Sequence, residues 1–177
     1  MVEQVYNAFL SCDQKVTTDT RNIAKNDLFF ALKGPNFNGN KFAEKALELG
    51  AKYAVIDEKE YFIEGKTFLV ENVLETLQSL ARFHRDKINI PVVAITGTNG
   101  KTTTKELLGA VLTSQYHILI TKGNLNNHIG VPLTILQLNK EHEIAVIEMG
   151  ASKIGDIKEL VEIALPNYGI ITNIGKA

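Results

Sequence analysis

The chain has 177 residues, 45% of them hydrophobic and 22% charged, with a formal net charge of -1. That suffices for one large or two small domains with an ordinary core, and it excludes the general basic field that nucleic acid or an anionic membrane would call for. A single cysteine, Cys12, excludes an internal disulfide framework and a cysteine zinc cluster. No apolar run approaches the roughly 18 residues of a membrane span, and the N-terminus lacks the pattern of a signal peptide, so a soluble, cytoplasmic chain with no membrane insertion is expected.

In chain order, residues 27–32 (DLFFAL), 52–57 (KYAVID) and 67–72 (TFLVEN) read as short strands. Between the first two, Phe42, Ala43, Ala46, Leu47 and Leu49 follow helical spacing, with Gly50 where a C-terminal cap belongs. Residues 73–87 form an amphipathic helix on Val73, Leu74, Leu77, Leu80, Ala81 and His84. Pro91 disfavours helix at Ile90, so residues 86–91 read as a connector. A small α/β domain over residues 1–86 is expected to precede a second domain from residue 87 to the last residue.

The second block alternates regularly. Strands are expected at 92–96, 117–121, 143–150 and 168–175, with helices over 102–115, from Val131 onward and over 156–164. Continuous apolar strands alternating with helices predict a parallel sheet covered on both faces. The fold class is therefore α/β, a small N-terminal domain followed by a phosphate-loop ATPase-type sheet domain. The last strand has no closing helix behind it, which suggests that this sheet is truncated.

Between the first strand and helix of that block lies TGTNGKTTTKE. Gly97 and Gly100 allow a tight turn that brings N–H groups near an anion, and the helix start adds unpaired amides and the positive end of its dipole. Lys101 can reach β- and γ-phosphates, and the Thr102 hydroxyl is placed for Mg²⁺. One position departs from the strict phosphate-loop pattern, since Ile95 stands where its first glycine would fall. A metal-bound nucleotide needs a carboxylate, and Glu148 ends the strand IAVIE. Ligands of open parallel sheets sit beyond the carboxyl ends of strands, so Glu148 and the loop should face one crevice. The segment GNLNNHIGVP is dense in amides, and Asn124, Asn126 and Asn127 can donate to phosphate oxygens without adding charge. His128 reads as a loop residue and His84 as a packed one, and nothing joins His117 and His142 to a metal cluster. Cys12 has no evident activating neighbour.

In this order, TGTNGKTTTKE, NLNNHIGVPLT, EMGAS and TNIGKA resemble the Mur ligases, ATP-dependent enzymes that add amino acids to the peptidoglycan precursor. The asparagine loop with EMGAS is most similar to the MurF branch, and residues 17–57 resemble the family domain that holds the UDP end of the substrate. The resemblance implies a ligase joining D-alanyl-D-alanine to UDP-N-acetylmuramoyl-tripeptide through an acyl phosphate, with ATP and Mg²⁺ as cofactors. It implies ATP phosphates cradled by Gly97, Thr98, Asn99, Gly100, Lys101, Thr102 and Thr103, and Mg²⁺ on Thr102 and Glu148. Lys101, Asn126 and Asn127 become the catalytic set, the asparagines near the γ-phosphate and acceptor carboxylate. Thr20 and Arg21 match the pair at the uridine diphosphate, and Asn38 and Asn40 lie in a loop on the same pocket that departs from the family's Asp-Gly-His version. A monomer is expected. The family's downstream histidine, modified lysine and C-terminal domain have no counterpart here, so the sequence reads as an N-terminal fragment without ligase activity of its own. The alternatives are a stand-alone nucleotide- or UDP-sugar-binding module and another Mur-type ligase. A kinase or GTPase is disfavoured by the lack of a guanine-reading segment or an arginine-rich lid.

Overall fold

The structure is a computed structural model and describes residues 1–175. Lys176 and Ala177, the end of the TNIGKA motif, lie outside the described residues. The chain divides into two compact units, Met1–Leu80 and a second that begins at Ala81.

The first unit contains helix α1 (Val2–Ser11), strand β1 (Val16–Thr17), a short 3-10 turn at Thr20–Asn22, β2 (Leu28–Phe30), a small hairpin of β3 (Lys33–Gly34) and β4 (Phe37–Asn38), α2 (Ala43–Glu48), β5 (Tyr53–Ile56) and β6 (Thr67–Leu69). It also contains the start of α3 (Val73–Lys87), within which the division between units falls. Strands β1, β2, β5 and β6 make one parallel sheet in that order, with Leu28 opposite Tyr53 and Ala54 opposite Thr67. Side chains alternate along each strand. Phe29, Ala31, Ala54 and Ile56 cluster with Ala43 and Ala46 of α2, where alanines let the helix approach closely. Leu28, Phe30 and Val55 point to the other face and are fully buried as well, and α1 and α3 supply further buried apolar side chains, Val5, Phe9, Leu77 and Leu80.

The second unit continues with β7 (Val92–Thr96), α4 (Lys101–Leu112), β8 (Ile118–Ile120), α5 (Gly130–Ile135), β9 (Ile144–Glu148), α6 (Asp156–Ala164) and β10 (Tyr168–Ile171). Its strands lie in the order β10-β7-β9-β8, every pair parallel. The chain crosses one way from β7 to β8 and the other way from β9 to β10. Right-handed crossovers then set α4 on one face and α5 and α6, which pack together, on the other. The reversal lies between neighbouring β7 and β9, where the register sets Ile95 beside Glu148. The carboxyl ends of these two strands therefore open onto a topological switch point. β9 explains the fully apolar run in the sequence: Ala145, Val146 and Ile147 are all buried, since both faces are covered.

The predicted parallel α/β architecture is the observed one. Helix α1, strand β1 and the β3–β4 hairpin lie outside the sequence reading. No helix among the described residues is long and apolar enough to cross a membrane.

Candidate functional site

The loop between β7 and α4 is built on two left-handed glycines, Gly97 at φ 137° and Gly100 at φ 81°. Gly97 has a second constraint, because a Cβ there would collide with the Thr172 hydroxyl and crowd the Asn173 backbone. Ile95 does not interrupt the turn; it is a fully buried residue of β7, and the loop starts two positions later. Lys101 opens α4, and the first-turn amides, those of Lys101, Thr102 and Thr103, have no intrahelical acceptor. The Lys101 ammonium folds back and donates to the carbonyls of Gly97 at 2.6 Å and Thr98 at 3.2 Å.

The segment after β10 braces this loop from the side. Asn173 accepts from the Thr98 amide through its carbonyl at 3.3 Å and from the Asn99 amide through Oδ1 at 2.9 Å. The Thr172 hydroxyl donates to the Asn99 carbonyl at 2.6 Å. Two loop amides are thus taken up by Asn173.

Glu148, only 2% exposed, is the hub beyond the strand ends. Its Oε2 accepts from Thr102 Oγ1 at 3.0 Å and its Oε1 from Asn126 Nδ2 at 2.8 Å. Its own amide donates to Thr121 Oγ1 at 2.9 Å. Hydrogen bonds to a charged group contribute about 1.5–3 kcal/mol each, which offsets the cost of burying the carboxylate. The structure therefore brings Lys101, Thr102, Asn126 and Glu148 together, from the loop helix, the asparagine loop and β9. Asn127 plays a different local part: its Oδ1 accepts from the Ile129 and Gly130 amides at 3.0 and 2.9 Å and so starts α5. Gly130 fits there because a Cβ would run into the Leu125 backbone. Asn126 is also fixed through its carbonyl, which accepts from the Gly150 amide at 2.7 Å. Lys101 stands between two clefts. One of about 420 Å³ includes Asn126, Asn127, His128, Asp156 and Glu159, and one of about 280 Å³ includes Thr98 and Asn173.

The donor set around Glu148 suits Mg²⁺. A carboxylate and a hydroxyl converge as hard oxygen donors, and Mg²⁺ takes one or two carboxylates and completes its shell with phosphate and water. No group of three histidine, cysteine or carboxylate side chains competes for a metal among the described residues.

In the first unit, Thr20 and Arg21 share the 3-10 turn at Thr20–Asn22, which Asp19 caps by accepting from the Arg21 amide. The largely exposed Arg21 guanidinium pairs with the same carboxylate at 2.7 Å. Side-chain and backbone bonds from Arg21 lower the Asp19 pKa to about 2. Asn38 and Asn40 belong to a separate polar knot. Asn38 donates to Glu58, and Asn40 donates to Asn38 and Asp57 while accepting from the Asp57 amide. Asn40 is fully buried, so it holds the hairpin to the end of β5 instead of facing a ligand. Asp57 also receives Lys33 at 3.0 Å and the Val73 amide. Burial alone would raise its pKa, but the bonds from Lys33, Asn40 and Val73 outweigh it and hold the carboxyl below its usual range.

Thr121, Lys105, Thr172 and Asn173 escaped the sequence reading. They are polar residues at or beyond strand ends or inside a helix: the folded sheet brings Thr121, Thr172 and Asn173 to the loop helix, and Lys105 finds its partner only there.

A glycine-built loop at a helix start, with a threonine and a buried carboxylate meeting beyond neighbouring parallel strands, is the arrangement of the phosphate-loop class of α/β folds. Comparison with known proteins narrows this: "Mur ligase family, catalytic domain" matches residues 14–94 and "Mur ligase middle domain" residues 95–177, and the chain belongs to the Mur ligase family. UDP-N-acetylmuramoyl-tripeptide–D-alanyl-D-alanine ligases of Synechocystis sp. and Bacillus subtilis are each 43% identical over 92% of this chain and 36% of their own length. The solved MurF ligase from Thermotoga maritima in complex with ADP superposes with a TM-score of 0.84 at 37% identity, over 94% of this chain and 39% of that one. The chain thus spans just over a third of the length of the curated relatives it matches.

Proposed function

We propose that this chain is part of a cytoplasmic, ATP-dependent UDP-N-acetylmuramoyl-tripeptide–D-alanyl-D-alanine ligase. Residues 1–86 take the UDP end of the precursor and the remainder takes the phosphates of ATP. The observation that carries the reading is the meeting of Thr102 and Asn126 on buried Glu148 at the mouth of the glycine loop. The names of the relatives and the ADP in the Thermotoga structure support it.

In this reading the amides at the start of α4 receive phosphate oxygens, and Lys101 exchanges its two loop carbonyls for the β- and γ-phosphates. Thr102 and Glu148 hold Mg²⁺, which when bound supplies neutralisation of the phosphate charge. Asn126 and the Asn127 amide group face the γ-phosphate and the acceptor carboxylate. Thr20 and Arg21 grip the uridine diphosphate, and Asn38 and Asn40 lie in a loop assigned to the same pocket, where Asn40 holds Asn38 in place. The tripeptide carboxylate attacks the γ-phosphorus, the bond to ADP breaks, and the amine of D-alanyl-D-alanine then displaces phosphate. Positioning and charge neutralisation supply most of such a phosphoryl transfer, which is the work these residues suit.

Calorimetric titration tests the reading. ATP with Mg²⁺ and a UDP-muramoyl tripeptide should each bind, and Lys101→Ala should weaken ATP at least tenfold while leaving the UDP compound unchanged. Preference for GTP over ATP, or failure to bind the UDP compound, would overturn it.

A further inference from the structure

The second unit buries a lysine that the proposed mechanism does not use. Lys105 lies on α4, one turn beyond Lys101, and is 1% exposed. A buried ammonium is costly unless every part of it is matched. Here it is matched on three sides: Nζ donates to the Thr121 carbonyl at 2.8 Å, pairs with Glu106 Oε1 at 2.9 Å, and lies 3.9 Å from Glu148 Oε2. Thr121 follows β8 directly and is itself 1% exposed. Its hydroxyl accepts the Glu148 amide, its own amide donates to the Val146 carbonyl, and the asparagine loop begins at the next residue. One ammonium therefore joins the glycine-loop helix to the residue that fixes Glu148 and launches Asn126.

We infer that Lys105 is a positioning residue for the metal–nucleotide site, holding Glu148 and the asparagine loop in register with Thr102 through Thr121. The inference rests on the nucleotide reading proposed above. Geometry separates this role from that of a mere counter-charge. The close partners of the ammonium are the Thr121 carbonyl and Glu106, whose own carboxylate balances its charge; Glu148 lies beyond hydrogen-bond reach. The two roles also predict opposite signs. Deleting a cation near a metal-binding carboxylate strengthens metal binding, whereas deleting a tether misaligns Glu148 against Thr102 and weakens it.

The test is a Mg²⁺ titration of fluorescent ATP-analogue binding to this chain, repeated for Lys105→Met and Lys105→Arg, with hydrogen exchange of the same proteins. The expected result for Lys105→Met is a rise of about tenfold or more in the Mg²⁺ concentration at half-saturation, with metal-free analogue affinity within twofold of the parent. Lys105→Arg, which keeps the cation and its donors, should recover at least half of the shift on a logarithmic scale. The Glu148 and Asn126 amides should exchange faster in Lys105→Met while that of Asn167, far from the tether, stays as in the parent. An unchanged or lower Mg²⁺ midpoint in a folded Lys105→Met overturns the role. If that variant does not fold, Lys105→Gln, which keeps a donor for Thr121 without the charge, takes its place: a midpoint within about threefold of the parent supports the tether, and a larger change in either direction overturns it. Lack of saturable analogue binding by the parent chain defeats the nucleotide reading itself, an outcome distinct from binding that ignores Lys105.

Discussion

At the scale of single residues, the site depends on positions with no slack. Gly97 combines a left-handed φ of 137° with a neighbour, Thr172, that already occupies the space of a Cβ. Gly97→Ala should lower unfolding stability by about 1–3 kcal/mol, as strained backbone does, and displace Thr172 from its bond to the Asn99 carbonyl. Urea unfolding measures the first effect, and an unaltered midpoint would contradict it. Thr102 isolates a different property. Thr102→Val keeps the shape but removes the hydrogen that Glu148 Oε2 accepts, so a buried carboxylate oxygen loses a donor, at a cost of about 1–3 kcal/mol. Thr102→Ser keeps that hydrogen. The pair should therefore separate: Mg²⁺-dependent nucleotide binding lost in the valine variant and retained within threefold in the serine variant, as read by calorimetry. Equal loss in both would mean that the hydroxyl alone does not account for binding at this position.

Elements differed in how readable they were, and the reasons are local. Helices α3 and α6 were legible from end to end because their apolar residues recur with helical spacing and their flanks carry stop signals such as Pro91 and Pro166. Helix α1 has comparable amphipathy but no side-chain cap, and it ends in left-handed Asp13 and Gln14 where a glycine would have marked the stop. Strands β1, β3 and β4 are two residues long, below the length at which alternation means anything, and only pairing with neighbours makes them strands. Helix α3 also carries a pH response. His84 is buried and its Nε2 donates to the Leu138 carbonyl at 2.8 Å, just beyond α5. Burial lowers its pKa, more than the bond to Leu138 raises it. The unfolded chain then takes up a proton near pH 6.5 while the folded chain resists, so stability present above that pH is lost as the pH falls. The melting temperature should drop between pH 7.5 and 5.5. His84→Gln, which keeps an N–H donor, should flatten that drop, leaving the smaller part due to His142, whose pKa burial also lowers. An undiminished slope in the variant would exclude His84 as its source.

For the whole molecule, alternation of strands and helices foretold a parallel sheet in the second block but could not give the order β10-β7-β9-β8, because order depends on which way each crossover turns. That order is what makes β7 and β9 neighbours and sets Glu148 beside the glycine loop. The loop itself was legible because its chemistry is contiguous in sequence; Thr121 on one side and Thr172 and Asn173 on the other come from separate segments, and Lys105, although in the same motif, gains its partner Thr121 only in the fold. The same distinction bears on activity. In the proposed reading a nucleotide is held by the loop, Thr102 and Glu148, all within the second unit, whereas ligation must also hold an acceptor carboxylate and an incoming amine in line with the γ-phosphate. The match to curated ligases occupies 36% of their length, and most of their length has no matched counterpart here. These 177 residues alone should therefore bind ATP with Mg²⁺ yet release phosphate no faster when tripeptide precursor and D-alanyl-D-alanine are both added than when either is withheld. A phosphate-release assay run beside the calorimetric titration decides it. Substrate-dependent turnover would show that these residues position the acceptor and the amine by themselves, and the cleft of about 420 Å³ beside Lys101 would then be the place to look for both.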